Sequence, residues 1–256
     1  MSVTPLSAAT IETTDDPVRR ARVDLAAAFR WAARLGFHEG TCNHFSLAVP
    51  GSADRYLINP HGPHFSEMRA SDLLVVDGEG RLVEGNYPIE ATAFFIHSRI
   101  HKARPDAACV LHTHMPHATA LTVIEGGRLE MCSQNALRFY GEVGYDDDYR
   151  GLALDEAEGD RMVRALGSNR VLFLQNHGVI VVAPTVAQAF DDLYYLERAA
   201  QLQVIAMSTH RPLKPVPHEV AAATTQQMLE QYELYARVHF GALRRMLERE
   251  EPSFMA

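Results

Sequence analysis

The stretch CVLHTHMPHATAL, Cys109 to Leu121, decides the fold. Its first half is an apolar run of strand length that carries two histidines two residues apart, and Pro116 then opens a helical segment, PHATALTVI. Residues two apart on a strand share a face, so His112 and His114 point to one spot about a side-chain length above the sheet. A buried strand running straight into a helix is a unit of a layered α/β protein.

The same alternation continues on both sides. DPVRRARVDLAAAFRWAARLG predicts a helix, with Asp16 placed to cap it, Pro17 in its first turn and Gly36 at its stop. TCNHFSLAVPG, RYLINP and DLLVVDGEG read as successive antiparallel strands, and PIEATAFFIHSRIHKA as a helix from Pro88 to Ala103. LRFYGEVGYDDDYRG reads as loop with short strands, and DEAEGDRMVRALG as a helix capped by Asp155 and stopped by Gly167. A hairpin, RVLFLQNHGVIVV, and a long helix, TVAQAFDDLYYLERAAQLQVIAM, follow. The expected fold is a single three-layer α/β/α domain on a mixed, largely antiparallel central sheet. Residues 1–16 read as a loose polar arm, 17–210 as the domain, and 211–256 as a proline-rich linker with one final helix packing on the domain or on a neighbouring subunit.

Composition limits the function. The chain has 256 residues, 47% apolar and 22% charged, the values of an ordinary globular protein. A formal charge of −8 argues against nucleic-acid and anionic-membrane partners. Cys42, Cys109 and Cys132 are too scattered for a disulfide framework or a thiolate zinc site, and no apolar run has the length of a signal peptide or a membrane span. The expected location is the cytoplasm.

A lone HxH is moderate evidence for a metal, because two core or rim histidines bonded to neighbours explain it equally well. His177 shifts the balance, since LQNHGVIVV sets a third imidazole and a glycine into a second apolar strand. Burying three polar rings costs several kcal/mol unless each finds a partner, and one shared divalent ion satisfies all three. Three histidines with an open position form the pattern of a catalytic site. Zinc, manganese, cobalt and iron all suit imidazole. His38, His101, His117 and His218 have no such company and read as surface or helix-face residues.

With these residues the chain resembles the class II aldolase/adducin family, through GTCNHFS, INPHG, RPDAACVLHTH and LQNHGVIV in the family's order, from about Asp16 to Met207. The resemblance implies an α/β/α fold, one divalent metal per chain on His112, His114 and His177, and a homotetramer with active sites between subunits. Departures from the family pattern bear on the substrate. Where the sugar-phosphate enzymes carry GN, TG and SS to grip phosphate, this chain has Asn43-His44, His61-Gly62 and Ala91-Thr92. Imidazoles crowd a site where phosphate needs close backbone donors. Asn43, His44, His61, Gly62, Ser66 and Thr92 therefore form a candidate pocket for a small-molecule carboxylate or ring hydroxyl. The competing reading makes His44, His61 and His64 plain loop residues.

The family's catalytic carboxylate stands four residues before the position of His97, which here is Ala93. Glu90, about one turn earlier, is the candidate replacement, unless it only complements the helix N-terminus. Without the usual acid, aldol cleavage is less favoured than decarboxylation, which needs a metal-chelated carboxylate and a later proton donor. Tyr140 is a candidate proton donor and Arg138 a candidate carboxylate clamp, and both read equally well as packing or subunit contacts. The expected activity is a metal-dependent carbon–carbon lyase. Retro-aldol cleavage, an iron-dependent oxygenase and a non-catalytic adducin-like module are the alternatives.

Overall fold

The computed structural model describes residues 16–256, so residues 1–15 of the expected arm lie outside the described residues. Helix α1, Pro17–Leu35, starts where Asp16 accepts a hydrogen bond from the Val18 amide and ends at Gly36, which adopts φ +68°. Strands β1 (His44–Ala48), β2 (Arg55–Ile58), β3 (Leu74–Asp77) and β4 (Leu82–Glu84) then form an antiparallel meander. Helix α2, Ala91–Ala103, leads into β5, Cys109–Thr113. After α3 (Pro116–Thr122), α4 (Gln134–Leu137), β6 (Val143–Asp146) and α5 (Glu156–Leu166), the hairpin β7 (Val171–Leu174) and β8 (Gly178–Ala183) is followed by α6, Val186–Met207. The chain ends in α7 (His218–Leu229), α8 (Tyr232–Glu250) and a short 3-10 turn.

The eight strands form one sheet in the order β4-β3-β2-β1-β5-β8-β7-β6, antiparallel throughout except for the β6–β7 pair. Side chains alternate between two cores. Phe45, Leu47, Leu111, Phe173, Val179 and Val181 pack under α1, α3, α6 and α8. Val110, Leu172, Ile180 and Val182 pack under α2 and α5, against Ile96, Ile100, Met162 and Leu166. Both faces are covered, which gives the expected three layers and single domain. Among the described residues, no helix is long and apolar enough to cross a membrane.

Two expected boundaries move. Helix α2 begins at Ala91 and not at Pro88, because Glu90 takes the N-cap position with its carboxylate on the Ala93 amide at 2.8 Å. The expected single C-terminal helix is two, α7 and α8, with a break at Glu230-Gln231. No glycine or proline marks that break. Its cause is tertiary: Tyr232, the first residue of α8, donates its hydroxyl to the buried Asp192 on α6 at 2.6 Å and lies under the Arg170 guanidinium.

Helix α2 meets β1 across a polar seam. His44 and Ser46 point from β1 toward α2, while Phe45 and Leu47 go to the other core. On α2, His97 and His101 stand one turn apart. A strand advances about 6.6 Å over two residues and a helix about 6 Å over four, so the two pairs meet in register. His44 Nδ1 lies 2.8 Å from His97 Nε2, His97 Nδ1 lies 2.5 Å from Ser46 Oγ, and Ser46 Oγ lies 2.7 Å from His101 Nε2. The expectation that His101 is an unaccompanied surface residue is therefore corrected. Burial holds His97 well below the ordinary histidine range and pushes His101 down to about 4. Both are neutral at pH 7.

Two predictions test this packing. Alanine for glycine inside an exposed helix gains about 1 kcal/mol of propensity. At Gly159 in α5, however, an added Cβ would stand 2.4 Å from the Phe95 carbonyl oxygen and 2.6 Å from Arg99 Cγ, where α5 crosses α2. Overpacking of this kind costs about 1–3 kcal/mol, so Gly159→Ala is expected to lower the thermal midpoint, and a raised midpoint would show that the two helices are free to separate. The second concerns acid. Free histidine titrates near 6.5, so below that pH the unfolded chain binds protons that folded His97 and His101 refuse. Stability of the metal-free protein should fall from about pH 6.5 toward about 4, read from urea midpoints, and His101→Gln should flatten the slope. A midpoint that rises on acidification would contradict the neutral seam.

Candidate metal centre

Strand β5 lies in the middle of the sheet with β1 on one side and β8 on the other, and its register sets His112 opposite both His44 and Ile180. His112 is buried and donates Nδ1–H to the Val179 carbonyl of β8 at 3.0 Å. His114, one residue past the end of β5, donates Nδ1–H to Glu39 Oε2 at 2.8 Å. His177 enters from the β7–β8 turn. That turn needs Asn176 at φ +56° and is pinned by the Asn176 amide on the Thr122 carbonyl at 3.1 Å. Gly178 allows the close approach, because a Cβ there would stand 2.5 Å from the Thr113 oxygen and 2.7 Å from His114 Cδ2.

The three imidazoles thus converge. Ring centroids are 5.0 Å apart for His112–His114, 4.7 Å for His112–His177 and 4.9 Å for His114–His177, and one nitrogen from each lies within 4.8 Å of the others. With both Nδ1 protons given to Val179 and Glu39, the Nε2 atoms of His112 and His114 carry lone pairs, and these stand 3.2 Å apart. Two facing lone pairs repel unless a positive charge sits between them. Zinc–nitrogen bonds of about 2.0–2.1 Å in a tetrahedron place neighbouring donors about 3.3 Å apart, so the donor set fits a divalent ion. Burial, then the neighbouring imidazoles, hold His112 well below the ordinary range. Burial, then His114 and Arg161, lower His177 to about 4. Neutral ligand imidazoles are what metal binding requires.

His44 lies beside this triad, its ring centroid 4.8 Å from that of His112. Burial lowers it to about 3 against the opposing field of Glu90. Glu90 is part-buried. Burial acts to raise its pKa, but the Thr92 hydroxyl, the Ala93 and Thr92 amides and His44 outweigh that and hold it below the usual carboxylate range. Asn43 is buried, accepts from the Glu39 amide at 2.8 Å and the His114 amide at 3.4 Å, and leaves Nδ2 without a partner.

The other expected pocket residues spread out. His61 and Gly62 are exposed on the loop after β2, where the His61 amide donates to the Pro88 carbonyl and Gly62 has φ +115°. Ser66 is exposed and bonds His64 Nδ1 at 2.7 Å, and His64 Nε2 lies 2.7 Å from His38 Nε2. Arg138 is bound to Asp191 and lies over the Tyr195 ring on the α6 side of the sheet, while the Tyr140 hydroxyl bonds His218 on α7. Within one chain neither bonds the three imidazoles among the described residues, and both make packing contacts, one of the readings that the sequence allows them. His38 and His117 are not unaccompanied either: His117 bonds the buried Glu197 at 2.7 Å.

Sequence reading missed His97, Ser46, His101 and Glu39. The signal was present in HFS on a strand and HSRIH on a helix, where spacings of two and four bring four polar groups to one interface.

Comparison with known proteins supplies relatives. The chain is 33% identical over 225 residues to "Decarboxylase NovR" of Streptomyces niveus, covering 86% of this chain and 83% of that one. It is 34% identical over 205 residues to "4-hydroxy-3-prenylphenylpyruvate oxygenase/4-hydroxy-3-prenylbenzoate synthase" of Streptomyces roseochromogenus subsp. oscitans, covering 79% and 73%. The solved L-fuculose 1-phosphate aldolase of Glaciozyma antarctica superposes with a TM-score of 0.84 at 28% identity over 96% of each chain. Residues 23–204 match the model of the class II aldolase and adducin N-terminal domain, which together with the convergent histidines and the layered sheet places the chain in the class II aldolase/adducin family.

Proposed function

We propose that this protein is a divalent-metal-dependent carbon–carbon lyase for a small, non-phosphorylated hydroxy or oxo carboxylate, with decarboxylation preferred. The observation that carries the reading is the pair of opposed Nε2 lone pairs on His112 and His114, with His177 completing an open three-histidine set. When bound, the ion supplies positive charge to a carboxylate and an adjacent oxygen and to the negative charge left on carbon. Val179 and Glu39 keep the ligand imidazoles in one tautomer.

The neighbouring residues argue against a sugar phosphate. Where the sugar-phosphate enzymes carry GN, Asn43 puts a side chain in place of glycine and His44 an imidazole in place of asparagine, and Ala93 packs in an apolar cluster with Tyr56, Ile58, Leu74 and Val76. No carboxylate stands at that point of α2. Asn43 Nδ2, a buried donor with no partner, suits a carboxylate or carbonyl oxygen. Glu90 is held ionised beside His44, so it accepts a proton before it can return one to carbon. Tyr140 and Arg138 reach a metal centre only if a neighbouring subunit of a homotetramer brings them, as the shared-site assembly requires. A cytoplasmic location completes the reading.

A second reading, retro-aldol cleavage, is favoured by the likeness to the fuculose phosphate aldolase, and the relative named as an oxygenase directs attention to iron.

Two measurements test these proposals. The wild type should carry one divalent ion per chain after dialysis, and His112→Ala, His114→Ala or His177→Ala should each lose it; a protein that takes up none of zinc, manganese, cobalt or iron would end the metal reading. Hydroxylated aromatic and pyridine dicarboxylates, short aldol adducts and fuculose phosphate should then be scored for carbon dioxide, aldehyde and oxygen uptake. Carbon dioxide release is expected, lowered roughly 100-fold in Glu90→Gln with metal retained, a typical loss for a proton-transfer group. Aldehyde without carbon dioxide makes the protein an aldolase, oxygen uptake makes it an oxygenase, and an unchanged Glu90→Gln reduces Glu90 to the cap of α2.

A further inference from the structure

A second pair of imidazoles stands apart from the three that converge. His38, on the loop between α1 and β1, and His64, on the loop between β2 and β3, face each other with their Nε2 atoms 2.7 Å apart and their ring centroids 4.5 Å apart, edge to face. The surroundings of His64 fix the sense of that bond. His64 caps the short 3-10 turn Phe65–Glu67: its Nδ1 accepts from the Ser66 amide at 3.2 Å and stands 2.7 Å from the Ser66 hydroxyl. An amide can only donate, so Nδ1 is bare and the single proton of a neutral His64 is on Nε2. His38 Nε2 therefore accepts that proton's hydrogen bond, and His38 carries its own proton on Nδ1. Both sides of the contact are anchored. The His38 ring stacks on Phe65 with centroids 5.7 Å apart, and Phe65 is buried against Phe29 and Phe45. Arg30 of α1 holds the same turn by the carbonyls of Ser66, Glu67 and Met68.

The pair has no place for a second proton. On His38 it would sit at Nε2, and two N–H groups would then point at each other across 2.7 Å. On His64 it would sit at Nδ1, against the Ser66 amide that this atom accepts. Either site breaks a hydrogen bond, whereas two separated rings take protons freely near pH 6.5. We infer that His38 and His64 form a proton-operated latch, closed while the pair is neutral and opened by acid, that fastens the loop between α1 and β1 to the loop between β2 and β3. The first loop carries Glu39, whose carboxylate meets His114, and Asn43, which accepts the Glu39 amide; the second carries His61, Gly62 and Ser66. Opening therefore loosens the Glu39 side of the metal centre, a regulation of the site that does not depend on the lyase reading. The charged groups nearby leave the sign unchanged. Arg30 is committed to its three carbonyls and to Glu251, Glu67 accepts the His64 amide at 3.2 Å, Glu39 is on His114, and His61 is exposed. Burial, then His64, hold His38 below the ordinary histidine range, so the closed form is favoured above about pH 6.5 and is lost as the pH falls below it.

The test is amide hydrogen exchange of the zinc-loaded and the zinc-free protein, one unit above and one unit below about pH 6.5, corrected for the pH dependence of intrinsic exchange. The reporters are the Glu39 and Cys42 amides, bonded inside the loop to Asn43 Oδ1 at 2.8 Å and to the Glu39 carbonyl at 3.0 Å. Their protection is expected to fall about 10-fold at the lower pH in both forms, the size of one hydrogen bond lost in a local opening, and further than that of the β5 amides. His64→Asn keeps the cap, because asparagine is a preferred N-cap, and removes the Nε2 donor, so its loop should be loose at both pH values. His38→Gln offers His64 a neutral acceptor that takes no proton, so protection should persist at the lower pH. Equal protection of the wild type at the two pH values overturns the latch. So does a His64→Asn loop as well protected as the wild type at the higher pH, or a His38→Gln loop that opens with acid as the wild type does. Loosening confined to the zinc-loaded form assigns the acid effect to loss of the ion and overturns the latch as well.

Discussion

The register of β5 against its two neighbours is the constraint on which the rest depends. The strand is hydrogen-bonded on both sides and covered on both faces, so each of its side chains must suit one core or the other. Cys109, Leu111 and Thr113 face the α6 layer and Val110 and His112 the α2 layer. A slip of one residue would exchange the two sets, expel His112 from the side where His44 meets it and bury the wrong face. The same register aligns His112 with the Val179 carbonyl, which satisfies its Nδ1 and commits Nε2 to the metal position. Fold and ligand geometry are therefore fixed together.

The two layers treat buried polarity in opposite ways. On the α2 side, rings without charge share protons along a chain, and burial keeps them neutral. On the α6 side, Asp191 and Asp192 are buried among charged and hydroxyl partners: Arg138 and His239 on the first, Arg170 and the Tyr232 hydroxyl on Oδ2 of the second. Breaking one member of such a network strands a charge and costs about 3–5 kcal/mol. This network ties α4, β7 and α8 to α6, so it belongs to the attachment of the C-terminal helices. The rings of the α2 seam are thus held by hydrogen bonds between neutral groups, and the aspartates of α6 by ion pairs.

Much of this was legible in the sequence because it was local. Caps at Asp16 and Asp155 and the stops at Gly36 and Gly167 mark α1 and α5 to the residue, and HxH with NHG marks the three histidines that converge. What escaped depends on contacts distant in sequence. The break before Tyr232 follows from a hydrogen bond to Asp192, forty residues earlier. His97 and His101 read as ordinary helix positions until β1 is set beneath them. Arg138 looked free to clamp a substrate because its partner Asp191 lies 53 residues on, inside an apolar helix.

Charge balance carries the substrate argument one step further. Three neutral imidazoles leave a divalent ion its full charge of +2, and Glu39 and Glu90, one on a ligand's Nδ1 and one beside His44, bring about −2. The centre is thus close to neutral before any substrate arrives. Arg161, the one cation whose field is felt at His177, is itself paired with Asp146 and Glu158. A phosphate dianion would enter without a partner of opposite charge. A monoanionic carboxylate would ask less, a place at the ion that His112, His114 and His177 would hold and one donor such as Asn43 Nδ2. In a decarboxylation, neutral carbon dioxide would depart and the electron pair of the broken carbon–carbon bond would stay on carbon with the single negative charge, so the site would need no change in net charge.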